Sequence, residues 1–466
     1  MLSTPNSVTS TVPLGAETVL HRIPELVVHS TRAGYTVLRT AADVTAQTFF
    51  DINHPGKMLL ALIDGRRSVT RIVSDYCAEA GIEATENQSW IVEYLTQIVA
   101  RGIVFPGQAS DDAPLIEIGD GSLLRPAHLT VEVTDTCNLE CGHCYLEASP
   151  RKRAAISYAD FEAVVRTFKS EHGLSIELTG GEFFLHPDAM RILELALREF
   201  SLVGLLTNGT VLPDEALELL ARNTDRVTVG VSLDSVRPEL HDRLRGHRGA
   251  FKRTVENVRR MVARGVRVRL GAVIFDENMW ELRELAQFAV DLEAALFGFN
   301  YVEGFGRGVG FDAAHGVRFD EKYKEYVASV LEEFKDIIPV LVGEQMKSTH
   351  TNCGAGTGSV VIDPDGNVRP CAIFPRTRAF GNVLQSRWDE VFDSPDYRIL
   401  SAVPDPRPDN GCPVTCPDFG TCYGCYLKGL RRNADRPDEP CRWVTTNNLS
   451  SVVEAFRAAT MVEVAG

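Results

Sequence analysis

Residues 129–145 read LTVEVTDTCNLECGHCY. Leu129-Thr-Val-Glu-Val alternates as a β-strand does, and the loop after it spends three cysteines, Cys137, Cys141 and Cys144, within eight positions. Zinc sites and most cubane iron–sulfur clusters take four protein ligands. Three thiols therefore leave one coordination position for something else, and what fills it depends on what the strand belongs to.

Downstream, short apolar strands alternate with helical stretches. Tyr158 to Lys169 reads as a helix, then Ser175-Ile-Glu-Leu as a strand, and the rhythm continues through Pro187 to Phe200, Leu202-Val-Gly-Leu-Leu, Asp214 to Arg222 and Arg226-Val-Thr-Val-Gly-Val. Ala250 to Arg264, Arg267 to Ile274, Met279 to Leu292 and Leu296-Phe-Gly-Phe-Asn complete the series. Repeated βα units imply the α/β class with a parallel sheet, and six of them suit a partial (β/α)6 TIM-type barrel. Loops at the strand C-terminal ends carry the chemistry of such barrels. The cysteine triplet falls in that position, directly after the first strand.

Cys137-x3-Cys141-x2-Cys144 in this setting resembles the signature of the radical S-adenosylmethionine (SAM) superfamily. In that family three thiolates hold three irons of a 4Fe-4S cluster, and the amino and carboxylate groups of SAM chelate the fourth. The resemblance implies electron transfer that cleaves SAM to methionine and a 5'-deoxyadenosyl radical. A zinc knuckle competes for the triplet alone, but an ordered series of strand-end motifs argues against it. Thr179-Gly180-Gly181-Glu182 ends the second strand; its glycines permit close backbone approach, and Glu182 is expected to pair with the SAM ammonium. Thr207-Asn208-Gly-Thr ends the third strand and Ser232-Leu-Asp234 the fourth, followed by His241-Asp242 and Arg245-Gly246. By resemblance Asn208, Ser232 and Arg245 contact the SAM ribose or carboxylate, Asp234 belongs to the same cofactor site, and His143 lines the adenine side with Tyr145 nearby.

Seven cysteines crowd the last quarter of the chain. Cys353 and Cys371 flank a hairpin whose turn, Asp363-Pro-Asp-Gly366, has type I composition. Cys412-x3-Cys416-x5-Cys422-x2-Cys425 and Cys441 follow. The layout resembles the SPASM domain, although the outer spacings are interchanged relative to that family. The resemblance implies two auxiliary iron–sulfur clusters: a distal one on Cys412, Cys416, Cys422 and Cys441, and a proximal one on Cys353, Cys371 and Cys425. The proximal set is one cysteine short, so a non-cysteine group, water or substrate is expected to complete it.

The chain begins with a polar stretch, expected as a disordered tail over residues 1–19. Glu25 to Ser30 and Tyr35 to Thr40 read as two strands with Arg32-Ala-Gly34 as their turn; Pro55 to Gly65, Val69 to Ala80 and Asn87 to Ala100 read as helices. These make a winged-helix-like unit over residues 20–107, in which Cys77 reads as a small buried helix residue. FFDINHPGKMLLALIDGRRSVTRIV and WIVEYLTQIVARGIVF within it resemble the precursor-peptide recognition element typified by the pyrroloquinoline quinone peptide chaperone. That resemblance implies a leader peptide added as a strand to the exposed sheet edge. Residues 108–125, acidic and broken by proline and glycine, read as a linker. The barrel is expected over 126–340 and the auxiliary-cluster domain over 341–466.

The 466 residues carry a formal charge of −15, which argues against nucleic acid or an anionic membrane as partner. No apolar run approaches the roughly 20 residues that span a bilayer, no signal peptide is legible, and clustered cysteines suit a reducing, cytoplasmic setting. Together the three modules resemble radical SAM enzymes that modify ribosomally made peptides, by a thioether or carbon–carbon crosslink or by oxidation, with an external reductant such as flavodoxin or ferredoxin. Two alternatives compete: the same chemistry on a small molecule such as a tetrapyrrole, and a non-catalytic iron–sulfur or zinc regulator. Asp276, Glu277 and Glu303 lie near strand ends, and no general base is assigned among them.

Overall fold

The computed structural model describes residues 14–31, 34–39, 49–112, 114–119, 121, 125–317, 320–342, 353–422, 424–439 and 441–465. The expected turn at Arg32 and Ala33 and most of the expected tail lie outside these. Two compact units divide the chain, Met1–Leu124 and Arg125–Gly466. No helix among the described residues is long and apolar enough to cross a membrane.

In the first unit, β1 (Val19–Arg22) is followed by the antiparallel hairpin of β2 (Val27–Thr31) and β3 (Gly34–Leu38), then by β4 (Phe49–Ile52). Helix α1 (His54–Leu62) starts where the Asn53 side chain accepts the Gly56 amide, with Pro55 fitting the first turn. Helix α2 (Val69–Ala80) runs from the Ser68 cap to Gly81, whose left-handed φ of 66° ends it. After α3 (Ala84–Ala100), β5 (Val104–Gly107) returns to pair with β1. Ile72, Val73 and Tyr76 of α2 and Ile91, Leu95 and Ile98 of α3 bury one apolar stripe each against Val28 and Val37. Cys77 lies in the same core, as its helical spacing implies.

One expectation for this unit needs correction. Within the stretch read as a linker, Ile116–Ile118 forms β6, parallel to β2. Three residues alternating Ile-Glu-Ile are too short to register as a strand, yet the free edge of β2 offers them backbone partners. The sheet order is β4-β3-β2-β6, so β4 is the terminal strand on the other side.

The second unit is built on a ten-stranded sheet. Its strands are β7 (His128–Glu132), β8 (Ser175–Thr179), β9 (Leu202–Thr207), β10 (Val227–Ser232), β11 (Arg267–Ile274), β12 (Leu296–Tyr301), β13 (Val340–Val342), β14 (Ser359–Ile362), β15 (Asn367–Arg369) and β16 (Gly381–Asn382). Helices α4 (Tyr158–Ser170), α5 (Ala189–Glu199), α6 (Asp214–Ala221), α7 (Pro238–Arg245), α8 (Ala250–Val262) and α9 (Leu282–Asp291) connect the first six strands. Helices α10 (Gly308–His315) and α11 (Glu321–Phe334) precede β13. The six parallel strands are those the sequence implies, and short β13 adds a seventh beside β12, astride the expected boundary at 340. The auxiliary region does not start a sheet of its own: β14 pairs in parallel with β7 and carries β15 and β16 beyond it. One apolar core, from Leu129 to Phe456, runs through both regions. Helices α12 (Trp388–Asp393), α13 (Pro395–Ser401), α14 (Phe419–Cys422), α15 (Tyr426–Asp435), α16 (Arg442–Thr446) and α17 (Ser450–Ala465) finish the chain.

Glu132, at the end of β7, is wholly buried and paired with Arg369 of β15 at 2.6 Å. Arg376 reaches the same carboxylate at 2.9 Å and forks onto Asp135 at 2.7 and 2.8 Å. Removing one partner of such a group leaves a buried charge uncompensated. Arg369→Met is therefore expected to destabilise the second unit by about 3 kcal/mol, and Glu132→Met in the same chain to recover part of the loss. Urea unfolding of the reduced, metal-free protein measures both; an unaltered midpoint in the single variant refutes the role of the pair.

Candidate functional site

The loop carrying Cys137, Cys141 and Cys144 is held from three strand ends and one helix end. After β8, the Gly181 amide donates to the Thr134 carbonyl at 2.6 Å and the Glu182 amide to the Thr136 carbonyl at 2.9 Å. A Cβ on Gly181 would lie 2.2 Å from the Thr136 oxygen, and Gly180 holds φ of 135° against the Thr134 carbonyl. The two glycines are required because backbone packs on backbone here. After β9, Asn208 donates from Nδ2 to Asn138 Oδ1 at 3.0 Å and lies 3.8 Å from the Cys137 sulfur. At the C-terminus of α7, the Leu244 carbonyl accepts the Gly142 amide, and Gly246, at φ of 64°, sits against the Glu140 carbonyl. After β12, Arg307 donates from Nε to the Cys141 carbonyl and from Nη2 to the Ala148 carbonyl, both at 2.9 Å.

These walls enclose a cavity of about 310 Å³, in the range of small-molecule and cofactor sites. The three cysteines, His143, Gly180, Gly181, Asn208, Ser232, Asp234 and Arg245 line it, as do Arg269, Asn300 and Arg307. Asp234 and Arg245 form a fully enclosed ion pair at 2.8 Å. Burial pushes the Asp234 carboxyl up, but Arg245, His143 and His241 outweigh it and hold it below the usual carboxylate range. His143 stands 3.6 Å from Asp234 and is edge-on to Phe311. Burial pushes its imidazole down to about 4, so it is neutral at pH 7.

The donor set fits a SAM-ligated cluster. Arg245 Nη1 lies 3.9 Å from the Cys141 sulfur and Asn208 Nδ2 beside Cys137, so N–H groups point at thiolates, as cluster sulfurs require. Burial first, with Glu182, Cys141 and Cys144 adding to it against the Leu139 amide, pushes the Cys137 thiol up to about 12; bound metal is what deprotonates such a group. Among the described residues, Asp234 Oδ2, Arg245 Nε and His143 Nδ1 are buried without hydrogen-bond partners, which suits a polar ligand with charges of both signs.

Glu182 departs from expectation. It does not line the cavity; its carboxylate is fully buried and accepts the Thr207 hydroxyl at 2.7 Å and the Asn208 amide at 2.8 Å. The chain turns into a short 3₁₀ segment at Phe183, and Glu182 caps it through the Phe184 amide. The residue thus clamps the ends of β8 and β9. Arg307 was not anticipated; its place after the sixth strand, within Gly304-Phe-Gly-Arg-Gly308, was the available signal. Asp276 bonds His315 at 3.2 Å, Glu277 pairs with Arg243 and Glu303 with Lys428, and none of the three carboxylates lines the cavity.

Elsewhere in the second unit, Cys412, Cys416, Cys422 and Cys441 line one small cavity with Asp418 and Trp443. Cys353, Cys371 and Cys425 form a separate group whose thiols act on one another electrostatically.

Burial pushes the Glu182 carboxyl up to about 7, while Thr207, Asn208 and Phe184 act the other way. An unfolded glutamate titrates at about 4.3, so between these values the folded state holds the extra proton, and stability falls as pH rises. In Glu182→Gln this fall, on the order of 3 kcal/mol, is expected to vanish. Urea midpoints of the reduced, metal-free protein between about pH 5 and about pH 7 test it; equal slopes in both proteins would refute a protonated Glu182.

A model of the radical SAM superfamily matches residues 131–289, and a model of the SPASM iron–sulfur cluster-binding domain matches residues 353–426. The antilisterial bacteriocin subtilosin biosynthesis protein AlbA of Bacillus subtilis (strain 168) is 35% identical over 421 residues, covering 90% of this chain and 93% of that protein. The sporulation killing factor maturation protein SkfB of the same organism is 23% identical over 374 residues, covering 79% of this chain and 88% of that one. The crystal structure of Streptococcus suis SuiB bound to S-adenosylmethionine shares the fold, with a TM-score of 0.62 at 17% identity, covering 88% of this chain and 96% of that chain. A cysteine loop pinned at three strand ends and one helix end, a cavity beside it and a second cysteine-rich region on the same sheet agree with these matches: the chain belongs to the radical SAM superfamily, as an enzyme with a C-terminal SPASM iron–sulfur domain.

Proposed function

We propose that this enzyme matures a ribosomally synthesised precursor peptide, forming a thioether or carbon–carbon crosslink or an oxidised residue in its core. The observation that carries the reading is the likeness to a bacteriocin biosynthesis protein along 90% of this chain, together with a first unit whose sheet ends on β4. With β6 already added at the β2 edge, β4 is, among the described residues, the terminal strand at the opposite end of that sheet and the one taken here for a leader peptide to extend. The tetrapyrrole reading gives the first unit no use.

In the second unit, Cys137, Cys141 and Cys144 hold the 4Fe-4S cluster, and the cluster with SAM supplies reductive cleavage and hydrogen-atom abstraction when bound. The chain's own residues bind and orient. Gly180 and Gly181 bring backbone against the cysteine loop, Asn208 and Ser232 line the ribose side, and Arg245 offers its charge to the SAM carboxylate while Asp234 holds it in place. Neutral His143, edge-on to Phe311, closes the adenine side. Cys412, Cys416, Cys422 and Cys441 hold one auxiliary cluster, and Cys353, Cys371 and Cys425 hold a second with an incomplete cysteine set. An external reductant of the flavodoxin or ferredoxin type completes the system.

The test is anaerobic reconstitution followed by reduction in the presence of SAM and a candidate precursor peptide, sought as a short reading frame beside the gene. Release of 5'-deoxyadenosine and a peptide that has lost hydrogen are expected, both abolished by Cys144→Ala. Removing the leader is expected to lower turnover at limiting peptide by ~10-fold or more, which is about 1.4 kcal/mol of binding. Deoxyadenosine without any change in peptide mass sinks the peptide reading and leaves the radical chemistry intact.

A further inference from the structure

The residues given to the cofactor all belong to one half of the cavity. The cysteine loop follows β7, Gly180 and Gly181 follow β8, Asn208 follows β9, and Ser232, Asp234 and Arg245 end or follow β10. The next two strands, β11 and β12, line the same cavity with Arg269 and Asn300, to which no motif gives a role. Strand β11 alternates between its faces, and Arg269 shares the cavity face with Gly271. Gly271 stands beside Ser232 on one side and beside Gly298 of β12 on the other. A Cβ on Gly298 would lie 3.4 Å from Nε of Arg269 and 3.5 Å from its Nη2. The guanidinium has therefore climbed from its own position to the level of Ser232, where it lies beside the bare backbone of β12. Asn300 stands two residues further along that strand and lines the same cavity.

Among the described residues four charged side chains line the cavity, and three of them are engaged. Asp234 and Arg245 pair with each other at 2.8 Å, and Arg307 is bound to the Cys141 and Ala148 carbonyls. Arg269 has neither an ion pair nor a hydrogen bond among the described residues, and the Asn300 side chain has none either. Two other carboxylates share this face of the sheet by strand register. Glu132 is held by Arg369 and Arg376, and Glu177 lies over Gly204 of β9, with β10 standing between that strand and β11. A ligand that fills the cavity strips water from the guanidinium, and a charge so enclosed persists only beside a counter-charge. SAM brings one carboxylate, which the assignment above gives to the cluster and Arg245. The counter-charge for Arg269 therefore arrives with the substrate.

We propose that Arg269, with Asn300 beside it, forms the subsite that takes one carboxylate of the core peptide, either an aspartate or glutamate side chain or the C-terminus. The inference rests on the peptide reading given under Proposed function. A guanidinium donates two parallel N–H···O bonds to a carboxylate, which fixes direction as well as charge. Glycine at 271 and 298 keeps the wall flat around the fork, so that peptide main chain can come close, and the Asn300 amide is free to bond that main chain. Arg269 binds and orients; the contact sets which residue of the core stands at the cofactor.

The test uses the full chain, reconstituted anaerobically and saturated with SAM, and a fluorescently labelled candidate precursor peptide whose dissociation constant is read by anisotropy. A parent protein that binds no peptide removes the peptide reading, and this inference with it. Peptides that lack one core carboxylate at a time, with asparagine for aspartate, glutamine for glutamate or an amidated C-terminus, are then compared on the parent protein. One of them is expected to bind about 10-fold more weakly or worse, and its identity names side chain or C-terminus as the source. Equal affinity across the series overturns the carboxylate subsite alone, and this arm needs no substitution in the enzyme. Arg269→Gln is expected to weaken binding of the unaltered peptide by the same factor, and to bind the peptide without that carboxylate no more weakly than the parent protein does. Losses that multiply place the carboxylate elsewhere and refute the contact. A fall in SAM affinity as large as the fall for peptide in Arg269→Gln assigns the guanidinium to the cofactor and refutes it as well.

Discussion

A carboxylate placed beyond the reach of water sets the terms for the second unit. Glu132 ends β7 with no exposed surface, and a charge so enclosed persists only with counter-charges at hydrogen-bond distance. Its two guanidinium partners come from β15 and from the turn after Cys371. The C-terminal hairpin therefore has to lie against the first barrel strand, where β14 continues the sheet. Arg376 also grips Asp135, at the root of the cysteine loop, so the same guanidinium fixes the loop and the hairpin together. One ionic cluster makes a shared frame for two cysteine sites that a domain diagram would draw apart.

The cavity shows a related economy. Arg245 touches both Asp234 and the sulfur of Cys141, so the ion pair that anchors the wall also directs N–H character at a cluster ligand. Hydrogen bonds to cluster sulfurs tune reduction potential. Neutral His143 adds polarity to the cavity wall without adding a charge.

Much of this was legible in the sequence, for identifiable reasons. The bounds of α2 match expectation because Ser68 and Gly81 mark them chemically. The barrel strands are apolar runs with helical periods between them, and buried parallel strands read that way. The glycine pair at 180–181 was legible because only glycine lets two backbones touch. What escaped notice was direction and distance. Glu182 has the residue type of a ligand contact, but the turn after it aims the carboxylate inward, and no one-dimensional pattern reports a side chain's heading. Arg307, Arg369 and Arg376 act across long sequence separations, which periodicity does not record.

The pairing of β14 with β7 has a consequence in time. His128 and Ser359 are neighbours in the sheet, yet more than two hundred residues separate them in the chain. Contacts so distant in sequence close late, after the loop entropy between them has been overcome. On the ribosome the cysteine loop and its barrel emerge well before the hairpin that neutralises Glu132. The loop therefore gains the grip of Arg376 on Asp135 only once the C-terminal quarter has been made.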